Sequence, residues 1–278
     1  MSADKTNKAG QEYLYDDDSA MTVKYHASRT ADKQAAWFLP YLEPGMTLLD
    51  CGCGSGSITE GLAKAVEPGQ VTGLDMSETE IERARARAAK SKIRNIRFAV
   101  GNIYRLGFPD SSFDALFSHN VLEHVPDPRA ALQEMRRVLK PGGIMGIRDC
   151  DYGGLILAPD DGFWERFIFL WEADWRRSKD GNPRMGRDLG KLLREAGFVE
   201  VTMSASYDVS SDPESRRIWV EGMLSLLTKA DFVERAITGG FSTTEELESL
   251  RKAWVAWQEV PDAIIALSHF EVTGRKAH

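Results

Sequence analysis

The sequence lacks long apolar runs and is poor in cysteine. No apolar stretch reaches the roughly 18 residues that a membrane span needs, so we expect no membrane span. Three cysteines occur in 278 residues, and Cys51 and Cys53 have no second Cys or His pair at ligand spacing, which predicts no metal site. The low cysteine content and a polar, acidic N-terminus that is unlike a signal peptide favour a cytoplasmic protein.

An excess of basic residues is also missing. The 42 Asp and Glu residues outnumber the 35 Lys and Arg residues, which gives a formal net charge of −7. Proteins that bind nucleic acid neutralise its phosphates with Lys and Arg, so a nucleic-acid partner is not expected. With 42% hydrophobic residues, the chain is long enough for one large domain or for a domain with an added cap.

Glycine is concentrated in one short loop. An apolar segment ends in Asp50, and alternating glycines follow at Gly52, Gly54 and Gly56, before a predicted amphipathic helix. Glycines at such a junction let a ligand approach the backbone. A second apolar segment, about twenty residues further on, ends in Asp75, and a carboxylate there can accept hydrogen bonds from both hydroxyls of a ribose. The pattern predicts a cofactor that contains a nucleoside.

The spacing of these glycines distinguishes between kinds of nucleotide loop. A dinucleotide loop has the order Gly-x-Gly-x-x-Gly, but Ser57 stands where its third glycine would be. A P-loop would need a Gly-Lys-Ser/Thr sequence, which does not follow. The order Asp-x-Gly-x-Gly-x-Gly instead resembles the class I S-adenosylmethionine (SAM)-dependent methyltransferases. An NAD-dependent oxidoreductase and a non-catalytic SAM-binding module remain the alternatives.

Two later segments extend this resemblance. Residues 121–125 read Val-Leu-Glu-His-Val at the end of a predicted strand, and residues 137–143 read Arg-Val-Leu-Lys-Pro-Gly-Gly at the end of a predicted helix. Together they resemble small-molecule methyltransferases related to ubiquinone and menaquinone biosynthesis enzymes, over about residues 20–150. The resemblance implies SAM as the cofactor, S-adenosylhomocysteine as its product, and a small-molecule acceptor methylated on O, N or C by in-line SN2 displacement. It leaves open whether the protein is a monomer or a homodimer.

The resemblance also implies roles for individual residues. Asp50 is expected near the amino group of the methionine part, Asp75 at the ribose, and Met76 against the adenine. Asn102 stands where the family often has an acid that accepts a hydrogen bond from the adenine amino group, and its amide oxygen can do the same. Arg29 is a candidate partner of the SAM carboxylate. The predicted cofactor-binding residues are Tyr25, Arg29, Asp50, Gly52, Cys53, Gly54, Ser57, Asp75, Met76, Gly101, Asn102, Ile103 and His119.

A methyl acceptor that is a hydroxyl or an acidic carbon needs a base near its proton. His119 is the first candidate because it ends the predicted fourth strand, where the transferable methyl should lie. His26 and Asp149 follow in that order. Arg148 and Asp151, which flank Asp149 at the end of the predicted fifth strand, are candidates for binding a polar methyl acceptor.

Apolar segments alternate with amphipathic ones. Strands are predicted near 46–51, 71–75, 96–100, 113–118 and 143–148, with a final strand around 270–274, and helices near 57–66, 78–90 and 128–139. This order, with the resemblance, predicts an α/β Rossmann-like, doubly wound sheet of seven strands, mostly parallel with the last strand antiparallel.

The domain prediction divides the chain into a core and additions. Residues 1–42 are expected to form a helical segment over the cofactor site, and residues 43–150 and 186–278 the core. Two insertions, at about 155–185 and 212–260, carry tryptophans and other apolar residues at helical spacing. We expect them to form a cap that encloses a partly apolar methyl acceptor.

Overall fold

A computed structural model describes residues 27–160, 162–178 and 181–278, with only the backbone described at 176–178. The strands are β1 Thr47–Cys51, β2 Gln70–Asp75, β3 Ile96–Val100, β4 Phe113–His119, β5 Leu139–Cys150, β6 Ile156–Ala158, β7 Phe198–Ser210 and β8 Ile264–Lys276. The helices are α1 Ala31–Gln34, α2 Thr59–Val66, α3 Glu78–Ser91, α4 Pro128–Val138, α5 Phe163–Ser178, α6 Leu189–Glu195, α7 Pro213–Thr228, α8 Ala230–Thr238 and α9 Thr244–Gln258.

The strands form one mixed sheet. The first five lie side by side and parallel in the order β3-β2-β1-β4-β5, and β8 pairs antiparallel with β5. β7 pairs with the opposite side of β8. The three-residue β6 pairs with the start of β8, on the same side of β8 as β5. The Rossmann-like fold class predicted from the sequence is confirmed. The short β6 is the difference, because it adds an eighth strand to the expected seven.

Helix ends coincide with capping residues in the sequence. The side chain of Ser77 accepts a hydrogen bond from the Glu80 backbone N–H at the start of α3, and Asp127 caps α4, whose first residue is a proline. Capping side chains satisfy backbone N–H groups that have no partner within the helix. The predicted helices near 78–90 and 128–139 therefore match α3 and α4 closely.

Hydrophobic clusters cover both faces of the sheet. On one face Phe38 packs against Phe117, with ring centroids 5.5 Å apart, and a Cβ at Gly146 would stand 2.3 Å from the Phe38 ring. On the other face α4 and α6 bury Leu132, Leu193 and their neighbours against β4 and β5. Both layers hold the carboxyl ends of the parallel strands at one edge, where a ligand of such a sheet binds.

The remaining helices, α5 and α7–α9, have a hydrophobic cluster of their own. Trp254 is fully buried at its centre, with Phe163 and Phe167 at centroid distances of 5.2 and 5.3 Å. Helix α5 follows β5 and β6, and helices α7–α9 connect the end of β7 to the start of β8. These helices therefore join the sheet at the edge formed by the carboxyl ends of the parallel strands. In the described ranges, no helix combines the length and apolar character needed to cross a membrane.

Candidate cofactor and methyl-acceptor site

The glycine loop joins β1 to α2 in a conformation that its glycines permit. Gly52, Gly54 and Gly56 have positive φ angles of 72°, 50° and 75°. A Cβ at Gly52 would lie 2.2 Å from a methyl group of Val121, whereas a Cβ at Gly54 would meet only Glu80, at 3.9 Å. The loop therefore packs tightly at Gly52 and opens at Gly54, where a ligand can approach the backbone.

Asp75 connects the end of β2 to this loop. Its Oδ2 accepts a hydrogen bond from the Gly54 N–H and its Oδ1 accepts one from the Ser77 N–H, both at 2.9 Å. Burial raises the pKa of Asp75, against these two backbone hydrogen bonds. Each carboxylate oxygen has a second lone pair, so the side chain can still accept from ribose hydroxyls.

Asp50, at the end of β1, connects the start of the glycine loop to helix α2. It is buried, and its Oδ2 accepts a hydrogen bond of 2.6 Å from the Thr59 hydroxyl on α2. Burial raises the pKa of Asp50 to about 7, with the Thr59 hydrogen bond opposing the shift and the charge of Asp75 adding to it. A cationic amino group beside Asp50 would favour the ionised form.

The other predicted cofactor residues lie in the loops after β1, β2 and β3. Cys53 and Ser57 belong to the glycine loop, and Met76 follows Asp75 directly and is half-buried. After β3, the Asn102 Oδ1 accepts a hydrogen bond of 2.8 Å from the Tyr104 N–H, and an amide oxygen has two lone pairs with which to accept. Gly101 packs on Leu74, because a Cβ there would stand 2.6 Å away.

The N-terminal predictions divide at the edge of the described chain. Tyr25 and His26 lie outside the described residues. Arg29 precedes α1 and is half-buried, and its charge acts on His269. Its pairing with the SAM carboxylate stays a prediction.

A buried polar cluster spans β4, β5, β7 and β8 at their shared edge. Arg148, only 1% exposed, donates hydrogen bonds to the His119 Nε2 at 2.8 Å and to the Asp208 Oδ1 at 2.9 Å. Its Nε lies 3.5 Å from a Glu271 oxygen, and Ser206 donates to the same carboxylate. Guanidinium groups have donors only, so the Nε2 of His119 accepts and its proton resides on Nδ1.

This tautomer bears on the candidate bases. His119 can take a proton at Nε2 only if Arg148 releases it, so its role as a base stays a prediction that requires this change. Asp149 is fully buried, its Oδ2 accepts from the Leu122 N–H at 3.2 Å, and burial and the nearby Glu123 carboxyl raise its pKa well above the ordinary range. A neutral carboxyl must first ionise before it can act as a base. Asp151 is paired with Arg187.

Aromatic rings join α5 to the ends of β4 and β5. Trp175 stacks on His124 with centroids 5.2 Å apart, and Trp171 meets Tyr152 edge-on at 4.1 Å. The stack holds His124 in the turn after β4. These contacts link the helical cluster to the turns after β4 and β5, at the same edge of the sheet as the glycine loop, Asp75 and His119.

A separate cavity of about 300 Å³ lies within the helical part, between α5 and α8. It is lined by Leu170, Asp174, Arg235, Ala236, Thr238, Gly239 and Phe241. None of the predicted site residues lines it, so we place the chemistry at the strand ends, where the loop geometry is, rather than in this cavity. Within the described ranges, no three His, Cys, Asp or Glu side chains are placed to hold a metal ion.

Comparison with known proteins identifies the family of this chain. A family model described as a methyltransferase domain matches residues 42–197. The probable methyltransferase ltbC of Aspergillus luteorubrus is 33% identical over an alignment of 297 positions, which covers 99% of each chain. A demethylmenaquinone methyltransferase of Staphylococcus aureus is 32% identical over 169 positions, covering 56% of this chain and 69% of its own.

A solved structure shows the same fold. Phosphoethanolamine N-methyltransferase 2 of Haemonchus contortus, in complex with phosphomonomethylethanolamine and S-adenosylhomocysteine, aligns with a TM-score of 0.55 at 18% identity, over 89% of this chain and 53% of that one. The chain belongs to the methyltransferase domain family and is a class I SAM-dependent methyltransferase. This assignment excludes the NAD-dependent alternative and favours an enzyme over a non-catalytic module.

Proposed function

We propose that this methyltransferase acts on a small, partly apolar molecule held between the strand ends and the helices α5 and α7–α9. One observation carries the proposal: the helical cluster is fastened to the carboxyl edge of the sheet through the Trp175–His124 and Trp171–Tyr152 contacts. These contacts support a cap over this edge, in which a bound molecule would be enclosed by aromatic and polar side chains.

Charge and kinship support a small methyl acceptor. The formal net charge of −7 does not favour a nucleic acid, whose recognition rests on basic groups. The staphylococcal relative is named for methylating demethylmenaquinone, a small molecule. The similarity to this relative and the helices α5 and α7–α9 together favour a small-molecule substrate over a protein or an RNA. They do not indicate which atom of the substrate is methylated.

Different residues of the chain bind SAM and position the methyl acceptor. Bound SAM supplies a methyl group that its sulfonium already activates. The open backbone at Gly54 leaves room for SAM, and the free lone pairs of Asp75 can accept hydrogen bonds from its ribose hydroxyls. The carboxylate of Asp50 can pair with the amino group of the methionine part of SAM. The strand-end side chains and the cap would orient the methyl acceptor in line and exclude water, and such positioning can lower a barrier by up to about 7–11 kcal/mol in favourable intramolecular systems.

Transfer of labelled methyl from SAM into a fractionated cell extract tests the proposal. We expect label in organic-extractable small molecules, and we expect Asp75→Ala to lose it. Asp160→Ala is the matched control, because Asp160 makes a similar hydrogen bond, to the Gly162 N–H, on an exposed loop outside the site. Label confined to protein or RNA, in the wild type but not in Asp75→Ala, would contradict the small-molecule reading.

A further inference from the structure

His269, on β8, is a buried histidine with no role so far in the reaction. It pairs across the sheet with Cys150, the last residue of β5, and is 1% exposed. Its ring stacks on that of His119, with centroids 5.8 Å apart and an angle of 23° between the planes. It therefore belongs to the strand-end cluster, next to the residue nearest the expected position of the transferable methyl.

The surroundings of His269 fix which ring nitrogen carries the proton. Nδ1 lies 3.3 Å from the Leu267 carbonyl oxygen and 3.7 Å from the Asp208 Oδ2, and both oxygens can only accept. The proton therefore sits on Nδ1, and Nε2 presents a lone pair. Nε2 is buried, and no hydrogen-bond donor of the described residues reaches it.

A second buried hydrogen-bond acceptor without a partner among the described residues lies on the residue that follows His119. Asn120 follows His119 directly with a positive φ of 53°, and its amide oxygen is also buried with no donor among the residues that the structure describes. Buried polar atoms are nearly always paired in folded proteins, and each exception asks for an explanation. We interpret these two acceptors, on His269 and on the residue after its stacking partner His119, as sites for donors that arrive with a bound molecule.

The buried setting of His269 decides which kind of hydrogen-bond donor fits it. The charged and titratable groups that act on it are Arg148, Asp208, Glu123 and Arg29. Burial and the charge of Arg148 lower the pKa of His269 to about 3, so the ring is neutral at ordinary pH. A cationic donor such as an ammonium group would lose its hydration in this buried setting, where the carboxylate of Asp208 is already paired with Arg148 and that of Glu123 accepts a hydrogen bond from Cys150. A neutral hydroxyl or N–H group is the donor that fits.

We propose that the Nε2 of His269 accepts a hydrogen bond from a neutral hydroxyl or N–H group of the methyl acceptor, and so selects acceptors that carry such a group. This inference rests on the proposed function and names the chemistry by which the same site recognises its substrate. His269 is thus a specificity-determining residue. A site built to accept a hydrogen bond discriminates strongly against analogues that lack the donor, because its buried polar atom is then left unpaired.

The first test needs no methyl acceptor. Long-range ¹H–¹⁵N correlation spectra of histidine-labelled protein report the tautomer of each ring, and the signals missing in His269→Gln identify His269. We expect a neutral ring with the proton on Nδ1, unchanged across roughly pH 5.5–9. A proton on Nε2, or a charged ring in this range, would overturn the proposal.

The second test measures recognition of extracted small molecules. Wild type, His269→Phe and the control His278→Phe, at the exposed C-terminal residue, are given labelled SAM and an organic cell extract, while calorimetry follows SAM binding. We expect His269→Phe to keep its SAM affinity and to lose transfer at least about 100-fold, with the control unchanged. Equal transfer by His269→Phe would overturn the proposal. If no small molecule is labelled even by the wild type, the proposed substrate class fails, and the spectra still decide the tautomer.

Discussion

At the scale of single residues, two properties of glycine matter in the loop. Gly52 and Gly54 both have positive φ angles, and only Gly52 is also packed too closely for a Cβ. Gly54→Ala places a methyl group in open space at positive φ, while Gly52→Ala adds a clash with Val121. We expect Gly54→Ala to cost about 1–2 kcal/mol of unfolding free energy. Gly52→Ala should cost about 1–3 kcal/mol more through overpacking. Urea unfolding without cofactor measures both.

Gly107 provides the control for this comparison. It has a φ of 70°, and a Cβ added there would meet nothing within 4 Å, so Gly107→Ala reports the backbone cost alone. We expect Gly54→Ala, unlike Gly107→Ala, to weaken SAM binding as measured by calorimetry, because its new methyl group enters the space open to the ligand. Equal SAM affinity in the two variants would contradict a cofactor contact at Gly54.

Asp50 gives the cofactor-free protein a dependence on pH. Its pKa is raised from 3.8 to about 7 by burial, so the folded state holds this proton more tightly than the unfolded state does. The stability from Asp50 is therefore greatest below the unfolded pKa and is lost as the pH rises toward the folded pKa. We expect the unfolding free energy of the wild type, relative to Asp50→Asn, to fall by about 2–3 kcal/mol between roughly pH 5 and 8.

Denaturant unfolding of the two proteins at several pH values measures this difference. Asparagine keeps an oxygen for the Thr59 hydroxyl, so the hydrogen bond that anchors α2 is retained. Asp160→Asn, on an exposed loop, should follow the wild type at every pH. A constant difference between wild type and Asp50→Asn would mean that Asp50 does not titrate in this range.

At the scale of elements, the helices α5 and α7–α9 depend on their own hydrophobic cluster. Trp254 is fully buried in it, and its neighbour Val255 on the same helix is 53% exposed. We expect Trp254→Ala to lose about 3–5 kcal/mol. Val255→Ala should change stability by at most about 0.5 kcal/mol. Thermal unfolding followed by circular dichroism tests the pair, and a similar effect of both would contradict a cluster centred on Trp254.

Elements differ in how readily their sequence reveals them. The alternation of apolar and amphipathic segments predicts α3 and α4 to within about a residue or two. The sequence pattern does not reveal most of β7, because it is an edge strand whose 13 residues are mostly exposed. Its pairing with β8, rather than its own pattern, makes it a strand. The same pairing extends β8 to 264–276, well beyond the predicted 270–274.

At the scale of the whole molecule, cofactor binding should stabilise the fold. A ligand present at about 100 times its dissociation constant adds roughly 2.7 kcal/mol of unfolding free energy. For a domain of this size, that gain corresponds to a rise in melting temperature of about 5–10 °C. We expect SAM and S-adenosylhomocysteine to produce this rise and NAD at the same concentration to produce none, measured by scanning calorimetry. Stabilisation by NAD alone would contradict a SAM site.

The sequence by itself determined the fold class, a cofactor that contains a nucleoside and, through the resemblance to class I methyltransferases, SAM as that cofactor. The first two follow from local patterns: alternating strands and helices, the loop from Asp50 to Gly56, and Asp75 at the end of the next strand. Local patterns suffice because the carboxyl ends of neighbouring parallel strands must meet at one edge. The cofactor loops therefore come together without any knowledge of distant contacts.

Only the tertiary structure decided the chemistry of the strand-end cluster. Arg148 meets Asp208 and Glu271 because β5, β8 and β7 pair in one register, although these residues are 60 or more positions apart. The tautomers of His119 and His269 then follow from which oxygens and guanidinium nitrogens surround them. Leu267 is close to His269 in the chain, but strand pairing brings Arg148 to His119 and Asp208 to His269, so the sequence around each histidine does not specify the whole set of partners.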